Sequence, residues 1–183
     1  MFTHKRTVVG LAAAAVLLAA CTTPSMGPQA SPQGLNLGRA VTADEIKAWD
    51  ISIPPSGAGL PPGSGSVKQG AAVYAAKCEA CHGANGAGKP VEALVGGQGT
   101  LASDNPLRTV GSYWPYATTL FDYVRRAMPT TAPKSLTDSE VYAVSAYVLQ
   151  LNGIVAQDAV MNAQTLPQVR MPNRDGFIDY SGK

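Results

Sequence analysis

Five consecutive residues, Cys78-Glu79-Ala80-Cys81-His82, set two thiols three positions apart with an imidazole directly behind the second. Thiols at that spacing can add to the two vinyl groups of a haem as thioethers, and the adjacent imidazole then serves as a first axial ligand to iron. Such a run would arise by chance in a chain this long about once in a thousand sequences. One covalently held haem c, attached at Cys78 and Cys81 and ligated by His82, is therefore the leading expectation. A structural zinc site calls for four Cys or His ligands. Here the remaining Cys and His are Cys21 and His4, both within or at the end of a segment that reads as a leader. A thioredoxin-like dithiol would need a βαβ surround, and the neighbouring sequence has none.

The iron needs a second ligand. Once processing removes His4, His82 is the sole imidazole, which leaves a Met, a weaker donor such as Lys or Asn, or nothing. Four methionines lie beyond the leader: Met26, Met128, Met161 and Met171. Met26 falls in a Pro- and Ser-rich stretch and Met161 in a polar tail. Met128 and Met171 are both followed by Pro. Met128 ends an apolar helical face and precedes the last strongly periodic helix, whereas Met171 lies beyond that helix in a stretch without periodicity. Met128 is the expected ligand; the competing reading is a methionine that fills core space. Thioether ligation raises the potential of a low-spin iron and suits electron transfer. No acid–base constellation accompanies the motif, so no catalytic residue is assigned. The alternative function is a haem enzyme or ligand sensor in which Met128 yields to an exogenous ligand.

Helices must position these donors. Ser66-Val67-Lys68-Gln69 has capping-box spacing, and Val67, Gly70, Ala71, Tyr74, Ala75 and Cys78 follow on one helical face that runs into the pentapeptide. Gly70 costs a helix up to about 1 kcal/mol relative to Ala, which points to a second backbone passing close by. The partner is a helix opened by Thr137-Asp138-Ser139-Glu140, striped by Val141, Val144, Tyr147, Val148 and Leu151 and stopped at Asn152-Gly153. Between them, Gly83 to Gly99 is glycine-rich with Leu94 and Val95 as its apolar contacts. An aromatic cluster, Tyr113-Trp114-Pro115-Tyr116, then precedes a helix carrying Ala117, Leu120, Phe121, Val124 and Met128, which Pro129 ends. Arg125 and Arg126 either reach a haem propionate or an acidic partner, or line a solvated helix face. Tyr113 and Trp114 either bond a propionate or pack in the core. The fold class is all-α.

The chain divides into a leader (1–20), a flexible tether (21–38), an extension (39–65), a haem domain (66–153) and a C-terminal tail (154–183). In the leader, Lys5 and Arg6 precede an apolar run from Val8 to Ala20 that is short for a bilayer span but fits a signal-peptide core. Leu18-Ala19-Ala20-Cys21 resembles a bacterial lipobox, making Cys21 the expected lipidation site; an ordinary Cys beside a conventional cleavage site is the other reading. Acylation would anchor the protein to the periplasmic face of a bacterial membrane. The formal charge of +2 rests on Lys5 and Arg6. Without them no basic excess remains, so nucleic acid is not an expected partner. The extension opens with a short helix from Thr42 that carries Ile46 and Trp49, and continues as a Pro/Gly-rich connector. Core packing is the preferred role of Trp49, Ile51, Ile53 and Leu60, over a docking surface.

Residues 66–153 resemble the class I cytochromes c, through Gly70 and Tyr74, Cys78-Glu79-Ala80-Cys81-His82-Gly83, Met128-Pro129, and Val144 and Tyr147. The resemblance implies that the first and last helices cross at these positions, with haem held between the His- and Met-bearing segments. In that family a Pro about a dozen residues after the histidine accepts its N–H; here Pro90 comes earlier, so either Pro90 or the Ala93-Leu94 backbone would fix the ring. Further segments resemble the cytochrome subunit of sulfane dehydrogenase in the Sox sulfur-oxidising system. They include Trp49-Asp50-Ile51, Gly59 to Gly65, Gly96 to Leu101, Thr109 to Pro115, Phe121 to Pro129 and Met171 to Phe177. That likeness implies electrons received from a molybdenum-cofactor dehydrogenase of the sulfite-oxidase type, acting on sulfite or sulfane sulfur, and passed to a downstream cytochrome or terminal oxidase.

Overall fold

A computed structural model describes residues 38–178 and 180. The expected leader, the lipidation site Cys21 and nearly all of the tether lie outside the described residues. The described residues from Asp44 onward form one compact unit.

Helix α1 spans Ala43–Trp49 and is followed by an irregular connector to strand β1, Ser64–Ser66. Helix α2, Val67–Lys77, leads directly into the single turn α3, Glu79–His82. A glycine-rich stretch and the aromatic segment precede α4, Ala117–Ala127; α5, Asp138–Leu151, and strand β2, Val160–Asn162, complete the order. The two strands pair antiparallel, Gly65 opposite Met161, adding a small ribbon to a fold that is otherwise helical.

The capping boxes expected at Ser66 and at Thr137 both form. At α2, Ser66 Oγ accepts the Gln69 N–H while the Gln69 side chain accepts the Ser66 N–H. At α5, Thr137 and Glu140 make the same reciprocal pair. Each box satisfies donors that the first turn of a helix leaves orphaned.

The two capped helices cross where the sequence places a residue without a side chain. A Cβ at Gly70 would land on the Ala143 carbonyl and crowd the Tyr147 Cβ, and one at Gly65 would strike the Ala143 backbone. The close approach stacks Tyr74 against Tyr147 with ring centroids 5.3 Å apart. Helix α4 packs on the other side of α5, where Phe121 and Tyr142, both fully buried, meet at 4.4 Å. An aromatic pair of this kind adds about 0.5–1.5 kcal/mol beyond area burial.

Two expectations change. Trp49 is 84% exposed, while Ile53 is buried and Leu60 half-buried against the core; the packing residues of the extension belong to its connector and not to α1. The C-terminal segment is less polar in role than its composition suggested. Met161, Leu166 and Met171 are all buried in the core cluster, because β2 returns against α5 and the turn after it against α4. Replacement of Gly70 by Ala should therefore destabilise the fold by about 1–3 kcal/mol in a denaturant titration despite the gain in helix propensity. Unchanged or increased stability would contradict the close crossing.

Candidate functional site

The residue that ends α2 hands the chain to the site. Cys78 caps the following turn, its carbonyl accepting the N–H groups of Cys81 (3.1 Å) and His82 (3.0 Å), so both thiols and the imidazole sit on one turn. Both cysteines are free thiols; Cys78 is half-buried and Cys81 exposed. Burial raises the Cys78 thiol to about 11, against the opposing pull of Lys77. It stays protonated near neutrality, where a thiol is a weak nucleophile.

The turn is held from both sides. Tyr74 donates its hydroxyl proton to the Gly83 carbonyl at 2.8 Å, and burial pushes its phenol up to about 12. The His82 carbonyl accepts the Gly88 N–H at 2.8 Å and the Cys81 carbonyl the Val91 N–H at 3.2 Å. The His82 ring itself is uncommitted: Nδ1 is buried with no hydrogen-bond partner. Neither Pro90 nor the Ala93-Leu94 backbone fixes it in this structure.

Asn152, read from the sequence only as a helix stop, proves to organise the loop beside this turn. Its side-chain amide donates to the Leu94 carbonyl (3.1 Å) and accepts the Gly96 N–H (3.2 Å), and its carbonyl accepts from Gln98 (2.8 Å). Thr109 continues the network, donating to the Gly96 carbonyl at 2.6 Å and accepting the Ser112 N–H. The partners of Asn152 are distant in sequence, and the one available signal was a polar residue immediately after an apolar stripe.

Met128 caps the C-terminus of α4, its N–H bonded to the Val124 carbonyl, and leaves the helix in extended conformation. It is half-buried, whereas Met161 and Met171 are buried in the core. Core filling, the competing role for a lone methionine, thus falls to Met161 and Met171, and Met128 is the half-exposed thioether that follows a helix. Arg125 and Arg126 are both paired within the chain. Arg125 Nε donates to Asp138 at 2.9 Å, and Arg126 pairs with Asp122. The buried Asp122 carboxylate also accepts the Ile53 N–H at 2.9 Å, tying the connector to α4. Trp114 packs edge-on against Tyr123 and lies partly buried on the core. Tyr113 meets Phe177 edge-on, with Arg108 over its ring.

Two unbridged thiols and an imidazole whose buried Nδ1 makes no hydrogen bond share one turn and fit a covalently attached haem, and Met128 offers a half-exposed thioether elsewhere in the chain. Among the described residues, no three His, Cys, Asp or Glu side chains converge to hold a metal ion on their own. Residues 65–148 match the family described as cytochrome C oxidase, cbb3-type, subunit III. A chain in the crystal structure of the sulfane dehydrogenase SoxCD from Paracoccus pantotrophus is 42% identical, matched over 80% of this chain and 73% of that one, with a TM-score of 0.74. No curated protein sequence matches. The chain belongs to the class I c-type cytochromes, electron-transfer proteins that carry haem c covalently, and its likeness extends to the SoxCD structure.

The different settings of the two Met-Pro methionines give opposite expectations. Met171→Ala should cost about 2–5 kcal/mol of stability in guanidinium and leave the iron–thioether absorption intact. Met128→Ala should cost much less stability and abolish that absorption. The reverse pattern would reassign the ligand.

Proposed function

We propose that this protein is a mono-haem cytochrome that takes single electrons from a periplasmic molybdenum-cofactor dehydrogenase of the sulfite-oxidase type. The dehydrogenase acts on sulfite or sulfane sulfur, and a downstream cytochrome or terminal oxidase receives the electrons. The observation that carries this reading is the 42% identity to a chain of the SoxCD structure, which extends well beyond the haem-binding motif.

When bound, haem c supplies reversible one-electron chemistry. The chain's own residues do the rest. Cys78 and Cys81 would hold the group through thioethers, and His82 and Met128 would supply its iron with a nitrogen and a sulfur donor. A thioether donor from Met128 would favour the reduced state and raise the potential. Tyr74, bonded to the Gly83 carbonyl, keeps the His82 turn docked on α2. Asn152 and Thr109 hold the 94–98 loop beside it. In this reading a lipid at Cys21, preceded by a cleaved leader, keeps the protein at the periplasmic face of the membrane.

Native membranes containing the protein should show haem reduction on anaerobic addition of sulfite or thiosulfate. Cells grown with tungstate in place of molybdate should lose that reduction while dithionite still reduces the haem fully. Reduction that survives tungstate would remove the molybdenum partner from the account. Rapid stoichiometric CO binding by the reduced protein would favour a ligand sensor instead.

A further inference from the structure

The haem-binding turn and the Met128 segment are far apart in sequence, yet the first turn of α5 holds an arm of each. Lys77, the last residue of α2 and the neighbour of Cys78, places Nζ 2.7 Å from Glu140 Oε1. Arg125, three residues before Met128, places Nε 2.9 Å from Asp138 Oδ1. Asp138 and Glu140 are two residues apart, and Thr137, which caps the same turn, shares a reciprocal hydrogen-bonded pair with Glu140.

Residues 128–137, which begin with Met128, are thus closed at the neck by Arg125 and Asp138. With side-chain exposures of 22% and 36%, the pair is shielded from solvent on part of its surface. Exposed ion pairs contribute little to global stability, and the capped, well-packed α5 does not need these two to fold. Their placement has a different consequence: they tie the end of α2, next to Cys78, and the end of α4, next to Met128, to the same turn of α5.

We propose that Asp138 and Glu140 form an electrostatic clasp, with Arg125 and Lys77 as its arms, that keeps the Met128 loop closed on the iron. All four act as positioning residues, since none of them ligates the metal. The inference rests on Met128 being the axial ligand. With the clasp weakened, the loop opens more often, and an external ligand competes better for the vacated position. Only ligand exchange is involved: an imidazole nitrogen replaces the Met128 sulfur on iron, and no electron moves.

The test is a spectrophotometric imidazole titration of the oxidised holoprotein, read at the iron–thioether absorption. Imidazole binds iron only after Met128 leaves, so its apparent affinity scales with the open fraction. Arg125→Gln and Asp138→Asn should each raise that affinity about three- to tenfold, and the double variant should match the single ones, as expected of partners in one interaction. Glu140→Gln keeps a residue competent for the capping box and should raise the affinity in the same direction. Salt at roughly 1 M, where screening acts over about 3 Å, should move the wild type toward the variants and shift the Arg125/Asp138 double variant less, since only the Lys77–Glu140 arm is left to screen. Thermal melts followed by far-ultraviolet circular dichroism separate this effect from general destabilisation: the affinities should rise while the melting temperatures stay close to wild type. Variant affinities within twofold of the wild type would overturn the clasp, as would effects of Arg125→Gln and Asp138→Asn that simply add. If the oxidised wild type has no iron–thioether absorption for imidazole to remove, the ligand assignment fails and the clasp with it. If that absorption is present and the variants leave the affinity unmoved, the clasp alone fails.

Discussion

The contact between Gly70 on α2 and the Ala143 backbone on α5 sets the geometry on which the other elements depend. It brings two helices within a distance that no larger residue would allow. Because α2 runs straight into the Cys78–His82 turn, the crossing fixes where the thiols and the imidazole emerge. Because α5 also packs against α4, the same helix locates the segment that ends in Met128. One small residue therefore places both ends of the candidate site on a common scaffold, in keeping with the dense, weakly deformable packing of protein interiors.

Polar groups with long sequence separations hold the irregular segments to that scaffold. Asn152 secures the 94–98 loop, Asp122 secures the connector through Ile53, and Tyr142 donates to the Pro61 carbonyl at 2.9 Å. Each satisfies backbone groups that a loop lying against a core would otherwise leave unpaired. The pairing of Arg126 with Asp122 also neutralises a buried carboxylate, which would be costly alone. Arg126 is thus a structural partner first. Arg125 lies at the junction between structure and function, where a modest ion pair can bias the Met128 loop without carrying the fold.

Elements whose signals are local or periodic were legible from the residues alone. The pentapeptide, both capping boxes, the close approach at Gly70 and the helix ending at Met128 all stand in the structure where their spacing put them. Tertiary pairings gave no such signal. Nothing near Asn152 announces that it reaches back to Leu94 and Gly96, and nothing near Asp138 announces Arg125. The C-terminal segment was read as a tail because Met161, Leu166 and Met171 follow no helical or strand period; an irregular chain can still be buried when a two-stranded ribbon pins it. Trp49 misled in the opposite direction, since a bulky apolar side chain on a short helix does not imply burial. The position of Pro90 left two routes for fixing the His82 ring, and the structure takes neither.

The account stands most directly on the covalent chemistry of Cys78 and Cys81. Denaturing mass spectrometry of protein matured in an export-competent host, followed by fragmentation, would test it. The account predicts a mass increase of one haem that survives acid–acetone extraction, borne on the peptide containing Cys78 and Cys81 through two thioethers. An unmodified chain, a second haem, or attachment away from these cysteines would contradict it.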